Sequence, residues 1–305
     1  RPVTTVTGVL MIIYMVHIIL YYYTHQILYK KVMMVIYIRM TTEAYVMIAY
    51  GDKYVLEAVN LVKSIKKFDN TRHFLLVSNI ASHELFDKVI NVEHEFVNET
   101  NNHNKFCVLA RIMAPKYVEY DRFVMIDTDI LCMNHPEYMW NTFKSNDNCF
   151  NCICGRDGSA WHWGHIDKIN KQNNLSMLPM HGGIIYFNKT SDKFAKYYED
   201  LLDGLSHYDQ LGFKRQFRNQ AMTDEVIISY ANAKNNIIPF DFANYPIVSF
   251  NLNHTYPVNE HIISWGTSST TFKTTGPTLF NHFTGLNEYP HIGNLYNKWL
   301  EKLKI

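Results

Sequence analysis

Blocks of apolar residues separated by short polar stretches run the length of this chain, and their spacing separates strands from helices. Ala44 to Ala49 is a continuous apolar run that reads as a buried strand, ended by the turn residues Gly51-Asp52. From Tyr54 the period changes: Val55, Ala58, Val59, Leu61, Val62 and Ile65 form a stripe at helical spacing, with Lys63, Lys66 and Lys67 mostly outside it. His73 to Ser78 returns to a buried-strand pattern. Strand, helix and strand in this order predict a right-handed crossover between parallel strands. No Gly-x-Gly-x-x-Gly follows the first strand, which disfavours a dinucleotide fold of the dehydrogenase kind.

Further along, Asn91 to Asn104 is polar and reads as loop. Lys105 to Lys116 reads as a helix with Phe106, Val108, Leu109, Ile112 and Met113 on its apolar side and Lys105 and Arg111 as its cations. Tyr120-Asp121-Arg122 turns the chain into a central apolar run, Phe123 to Leu131, into which Asp127 and Asp129 are set. Cys149 to Cys154 predicts another strand, ending in Gly155-Arg156-Asp157. Residues 158–180 read as an inserted loop, whose Trp161-His162-Trp163-Gly164-His165 forms either a flat platform for sugars or a self-buried aromatic cluster. Pro179 to Asn188 is a turn into a buried strand, where Gly182-Gly183 lets the backbone approach a ligand closely. Ser191 to Leu202 predicts a helix capped by Ser191, and Thr223-Asp224-Glu225 opens another through Ala231. Ile237 to Asp241 is a short strand and turn, Leu279 to Gly285 carries His282 at a strand-to-loop junction, and 292–304 is a basic terminal helix. The pattern predicts an α/β fold with one mixed, mostly parallel central sheet flanked by helices.

With 305 residues and a net charge of +1, the chain can hold one large α/β domain, and no charge argument points to nucleic acid. Five cysteines lack framework spacing and suit a reducing compartment. Cys149-x-x-Cys152-x-Cys154 with His162 and His165 matches no standard zinc spacing, and the thiols read more simply as small hydrophobes of a buried strand. Val3 to Tyr23 carries no charged side chain and is long enough to span a bilayer, with Lys30, Lys31 and Arg39 after it. Residues 1–40 are therefore either a membrane anchor, which would leave the following domain cytoplasmic, or an extraneous upstream extension ahead of Met40. Residues 41–305 hold the folded domain. Nothing in the sequence fixes an oligomeric state.

Two carboxylates in Asp127-x-Asp129 can converge on one hard divalent cation whose other positions go to phosphate oxygens. The plain alternative is a strand end capped by a solvated acidic turn. A cationic helix feeding an acidic strand end suits a site for metal and diphosphate together, although Arg111 alone reads equally as a surface ion pair. The order of features decides between these. Tyr54 after the first strand, Arg111, Asp127-x-Asp129, the glycine-paired strand, Asp224-Glu225 at a helix start and His282-x-x-Gly285 together resemble the GT-A glycosyltransferases. The closest likeness is to family 8, the glycogenin-like and galactosyltransferase-like enzymes, over residues 44–290.

That resemblance implies an enzyme moving a hexose from a UDP-sugar to a hydroxyl of a glycan, protein or lipid, with retention. Asp127, Asp129 and His282 then correspond to the ligands of Mn²⁺ (or Mg²⁺) and are expected to converge in space. Tyr54 corresponds to the aromatic that stacks on uracil and is expected at an open cleft. Ile48, Ala49 and Tyr50 would line the nucleotide pocket with backbone groups, and Arg111, Asp127, Thr128 and Gly285 would lie beside the bound donor. Asp157 matches an acid that recognises sugar hydroxyls, and Gly182 and Gly183 match the strand start beneath the donor. Asp224 corresponds to the first residue of a catalytic Asp-Gln pair, with Glu225 as the second.

Three residues depart from the pattern. His181 stands in place of an Asn, Glu225 in place of a Gln, and Glu288 in place of a Lys that neutralises the diphosphate; Arg111, Lys105 or Lys273 would have to substitute for that Lys. Asp209-Gln210 rivals Asp224-Glu225 as the catalytic pair. A degenerate domain that binds sugar nucleotide or glycan without turnover, and a membrane-anchored structural protein, are the alternatives from other classes. A nucleotidyltransferase is disfavoured by the lack of a Gly-rich phosphate loop near the first strand.

Overall fold

The computed structural model describes residues 42–92, 103–154, 166–211, 223–241, 245, 247–249, 260–265, 268–273 and 279–305. The chain divides after Thr42, and every element below belongs to the unit Glu43–Ile305. Among the described residues no helix is long and apolar enough to cross a membrane, and Val3 to Tyr23 lies outside them.

The first strand, β1 (Glu43–Ile48), leads into helix α1 (Asp52–Lys66), which buries Val55, Ala58, Val59, Leu61, Val62 and Ile65. The chain returns as β2 (His73–Val77), parallel to β1 with Ala44 opposite His73, and β3 (Lys88–Ile90) joins parallel to β2. Helix α2 (His103–Tyr117) crosses to β4 (Arg122–Ile126), which pairs parallel with the other side of β1. Beyond it lie β7 (His181–Asn188) and β6 (Phe150–Cys154), each antiparallel to its neighbour, and β8 (Phe240–Asp241), parallel to β6. The order is β3-β2-β1-β4-β7-β6-β8, so four of the six pairings are parallel, as expected.

Side-chain alternation along these strands sends residues to two cores. Val46, Leu75, Val77 and Phe187 pack with α2, α5 (Phe194–Ser206) and α6 (Asp224–Lys234), for example against Ile112, Leu201 and Ile227. Tyr45, Met47, Leu76 and Tyr186 pack on the opposite face with α1 and α3 (Glu137–Lys144), against Leu61 and Trp140. At full burial each such side chain contributes about 1.5–3 kcal/mol. At one end of the sheet the Arg72 guanidinium meets Glu43 (2.7 Å), Asp69 (2.7 Å) and Glu137 (2.8 Å) and lies 4.5 Å from the Trp140 ring. The Tyr45 hydroxyl donates to Asp69 and accepts from Trp140 Nε1, both at 2.8 Å. Burial alone would raise the Asp69 carboxyl, but the donors of Arg72, Thr71 and Tyr45 outweigh it and hold it at about 2.

Three features differ from the sequence reading. The apolar run through Asp127 and Asp129 is two strands: after β4 the chain enters β5 (Ile130–Cys132), part of a second sheet ordered β5-β12-β9, with β9 at Val248–Ser249 and β12 at Phe280–His282. Inside the expected loop 158–180, Ile166–Asn173 forms helix α4, burying Ile166 and Ile169. Ser191 is not a helix cap; α5 starts at Phe194 with Lys193 in the cap position, because Asn188 and Ser191 first close turns of their own. A hairpin, β10 (Glu260–Trp265) and β11 (Ser268–Lys273), and helix α7 (Pro290–Leu303) complete the described elements. Ile292 and Tyr296 of α7 pack with Leu131 of β5 and Phe283, which follows β12.

Candidate metal centre

The turn between the two sheets builds the site. Asp127 N–H donates to Gly183 O of β7 at 2.8 Å, which fixes the exit from β4. Ile130 then pairs with His282, and Phe283 N–H donates to Asp129 O at 2.8 Å. Both acids therefore sit on a three-residue turn pinned at its two ends to different sheets, with His282 brought beside Asp129. Asp127, Asp129 and His282 each offer a ligand atom, and these atoms lie within 4.8 Å of one another. His282 Nε2 is 3.1 Å from Asp129 Oδ1. Burial would raise the Asp129 carboxyl, but the adjacent His282 and then Arg111 hold it below the usual carboxylate range.

Arg111 of α2 links this turn to the start of α6. Its guanidinium contacts Asp127 and donates to Asp224 Oδ2 (2.6 Å) and to Gly182 O (2.9 Å). Both readings of Arg111 from sequence meet here: it is an ion-pair residue, and its partners are the site's acids. Asp224 and Glu225 open α6, where Thr223 Oγ1 accepts from Glu225 N–H at 3.3 Å and negative charge is favoured. Glu225 Oε1 accepts from Gly182 N–H at 3.0 Å. A Cβ on Gly182 would stand 3.1 Å from Glu225 Cγ, 3.2 Å from Arg111 Nη1 and 3.3 Å from Asp224 Oδ2, so the missing side chain is what lets the three groups close on the strand.

Gly183 makes the same kind of room for a pair of imidazoles. His181 is buried on β7, and its Nε2 lies 2.9 Å from His282 Nδ1. Burial, then His282 and Arg111, pushes the His181 imidazole well below its ordinary value. The sequence marked His181 as a departure but gave it no task.

Around the acids stand the other expected residues. Tyr54 is half-buried; burial, then the charges of Glu57, Cys107, Asp129 and Glu288, raises its phenol and keeps it un-ionised. Thr128 is buried and donates to Glu57 Oε2 at 3.2 Å. Glu57, which sequence reasoning missed as one more polar helix position, is buried, and burial raises its carboxyl against the hydrogen bonds of Asn287 and Thr128. Ile48 ends β1, with Ala49 and Tyr50 buried just beyond its carboxyl edge. Gly285, at φ +81°, carries the turn after β12 beneath the Tyr289 ring. Glu288, Asp209 and Gln210 are exposed. Asp157, the Trp161 to His165 segment and the side chains of Lys105, Lys273 and Cys154 lie outside the described residues. Cys149 and Cys152 are buried, and the metal-compatible group found among the described residues is the Asp-Asp-His set. Two carboxylates with one imidazole fit a hard or borderline divalent ion such as Mg²⁺ or Mn²⁺.

No family model matches the chain, and no curated protein matches it in sequence. Solved structures do match. A galactosyltransferase, LgtC, in complex with donor and acceptor sugar analogues superposes with a TM-score of 0.54 at 14% identity, covering 84% of this chain and 96% of that one. An active-site mutant of LgtC in which a glutamine becomes glutamate gives 0.53 at 14% identity, with the same coverage of 84% and 96%. Mouse xyloside xylosyltransferase 1, apo form, gives 0.53 at 11% identity, covering 79% of this chain and 97% of that one. The chain has the GT-A fold of these glycosyltransferases.

Proposed function

We propose that this chain is a divalent-metal-dependent glycosyltransferase that moves a hexose from a UDP-sugar to a hydroxyl on a glycan, protein or lipid, with retention. The observation that carries the reading is the convergence of Asp127, Asp129 and His282, joined through Arg111 to Asp224, on a fold shared with sugar transferases. Asp127, Asp129 and His282 would hold the ion, which when bound supplies Lewis-acid neutralisation of the departing diphosphate. Arg111 adds a fixed positive charge at the same place, and it is the described cation able to stand in for the Lys that Glu288 replaces. Tyr54, half-exposed near Asp129, offers its ring to the uracil, and the backbone of Ile48 to Tyr50 lines the base pocket. Thr128, Gly182, Gly183 and Gly285 border the donor, with Asp157 as the acid for sugar hydroxyls. Asp224, oriented by Arg111, presents a carboxylate to the sugar carbon, where positive charge develops in the transition state. Glu225 takes the place of the glutamine of the catalytic pair and stays tied to Gly182 N–H.

Release of free UDP from a panel of UDP-sugars with and without Mn²⁺, beside calorimetric titration of UDP, tests this. Asp129→Asn should weaken UDP binding about tenfold or more, because it acts on the diphosphate through the ion. Asp224→Asn should cut turnover about 100-fold with UDP affinity nearly intact. UDP binding without turnover on any donor would leave a binding module instead. Equal loss of UDP affinity in both variants would overturn the division of roles and make Asp209 the better catalytic candidate.

A further inference from the structure

The structure assigns a task to His181: we infer that it is a positioning residue that sets the tautomer of His282, and that ion binding reverses the proton positions on both rings. The inference rests on the proposed reading of Asp127, Asp129 and His282 as metal ligands.

The geometry is that of a linear relay. Asp129 Oδ1 faces His282 Nε2 at 3.1 Å, and His282 Nδ1 faces His181 Nε2 at 2.9 Å. A carboxylate oxygen can only accept, so the contact with Asp129 puts a proton on His282 Nε2. In the neutral ring His282 Nδ1 is then an acceptor, and His181 Nε2–H is its donor. An ion on His282 requires the opposite arrangement. The ligating Nε2 must carry no proton, the remaining proton moves to Nδ1, and Nδ1–H needs an acceptor at its far side. The atom there is His181 Nε2, which accepts once its own proton sits on Nδ1. The balance closes without a change of charge on either ring. The proton on His282 Nε2 leaves to solvent, the proton between the rings passes from His181 to His282, and His181 Nδ1 takes one up.

Two further observations show that the pair is held for this contact. Both rings are buried, His181 at 4% exposure and His282 at 6%, so neither swings out to another partner cheaply. Gly183 leaves the space they use: a Cβ there would lie 2.4 Å from His181 Cε1 and 3.0 Å from His282 Cε1. An acceptor behind a ligating imidazole raises metal affinity, typically by 10- to 100-fold over its loss.

The test combines two polar-atom variants with a spectroscopic readout on the unsubstituted protein. His181→Leu, which keeps bulk and removes the acceptor, should weaken Mn²⁺ binding about 10- to 100-fold by calorimetry. His181→Gln, whose amide can still meet His282 Nδ1, should stay within about threefold of the parent. In ¹⁵N-histidine spectra of the parent, both rings should carry Nε2–H without metal and Nδ1–H when saturated with Mg²⁺. The inference falls if His181→Leu binds Mn²⁺ as tightly as the parent, or if the His181 proton does not move. Should the Leu variant fail to fold, the spectra alone decide. A parent protein that binds no divalent ion would remove the metal-dependent reading along with this one, whereas binding by the parent with no tautomer change removes this one alone.

Discussion

Gly183→Ala is the substitution whose outcome the structure fixes most sharply. The added Cβ would fall 2.4 Å from Cε1 and 3.0 Å from Nε2 of His181, and 3.0 Å from Cε1 of His282. Carbon atoms in contact prefer about 3.5–4.0 Å, so the His181 ring must retreat by about 1 Å. It cannot do so freely, because it is a buried ring on the same strand, two residues away on the same face. Overpacking of this kind costs about 1–3 kcal/mol. Pulling Nε2 away from His282 Nδ1 adds about 1 kcal/mol for the hydrogen bond. A total of about 2–4 kcal/mol in a unit of this size lowers Tm by about 4–15 °C. The assay is thermal and urea unfolding of the variant beside Gly293→Ala as a control of opposite sign. Gly293 lies in α7 with Leu286 O 3.9 Å from its added Cβ, an ordinary contact, so alanine there gains about 0.5–1 kcal/mol of helix propensity. A Gly183→Ala protein melting within about 2 °C of the parent would show that the imidazole pair yields easily, and the steric reasoning would be wrong.

Arg111→Gln should weaken UDP binding about tenfold or more through loss of a charge-assisted contact, and Arg111→Lys should not restore it, since a single ammonium cannot span Asp127, Asp224 and Gly182 O; calorimetry decides. Asp69 is held at about 2 against an ordinary 3.8, so its contribution of about 2 kcal/mol is present above pH 3.8 and lost as pH falls through 2. Asp69→Asn should lower stability at neutral pH and flatten the acid limb of a stability–pH curve measured in urea. Mn²⁺ at 100 times its Kd should stabilise the protein by about 2.7 kcal/mol, and chelation or Asp129→Asn should abolish that gain in a thermal melt.

Where one element decides its own pattern, the sequence was readable. The stripe of α1 and the buried runs of β1 and β2 appear where the pattern puts them, because each buries a face whose period is local. The break at Asp127 was not readable as a change of sheet: Phe123 to Ile126 of β4 and all of β5 are buried and apolar on either side of it, and which partner each strand takes depends on β7 and β12. Helices α3 and α4 span 8 residues each, too short for a periodic signal to stand out. In the site, residue order was enough to group Asp127, Asp129 and His282. Glu57 and His181 escaped because what gives them meaning is contact at a distance, with the turns at Thr128 and Asn287 in one case and with His282 in the other.

The acids and the histidine enter the cluster from different layers. Asp127 hangs from β4 of the seven-stranded sheet, while His282 ends β12 of the three-stranded one and is followed by the turn into α7. α7 is held by Ile292 and Tyr296 on Leu131 and Phe283, and by Lys67 of the turn after α1 donating to Leu303 O. The last stretch of the chain thus meets the acids across the seam between the two sheets, within the one unit Glu43–Ile305. An ion held by Asp127, Asp129 and His282 would act as a rivet across that seam. Amide exchange in residues 279–303 then becomes a gauge of occupancy: protection there rises with metal concentration, while β1 and β2 exchange at the rate of global unfolding. On the proposed reading, ion binding at one end of the sheet would also set how firmly α7 is fastened.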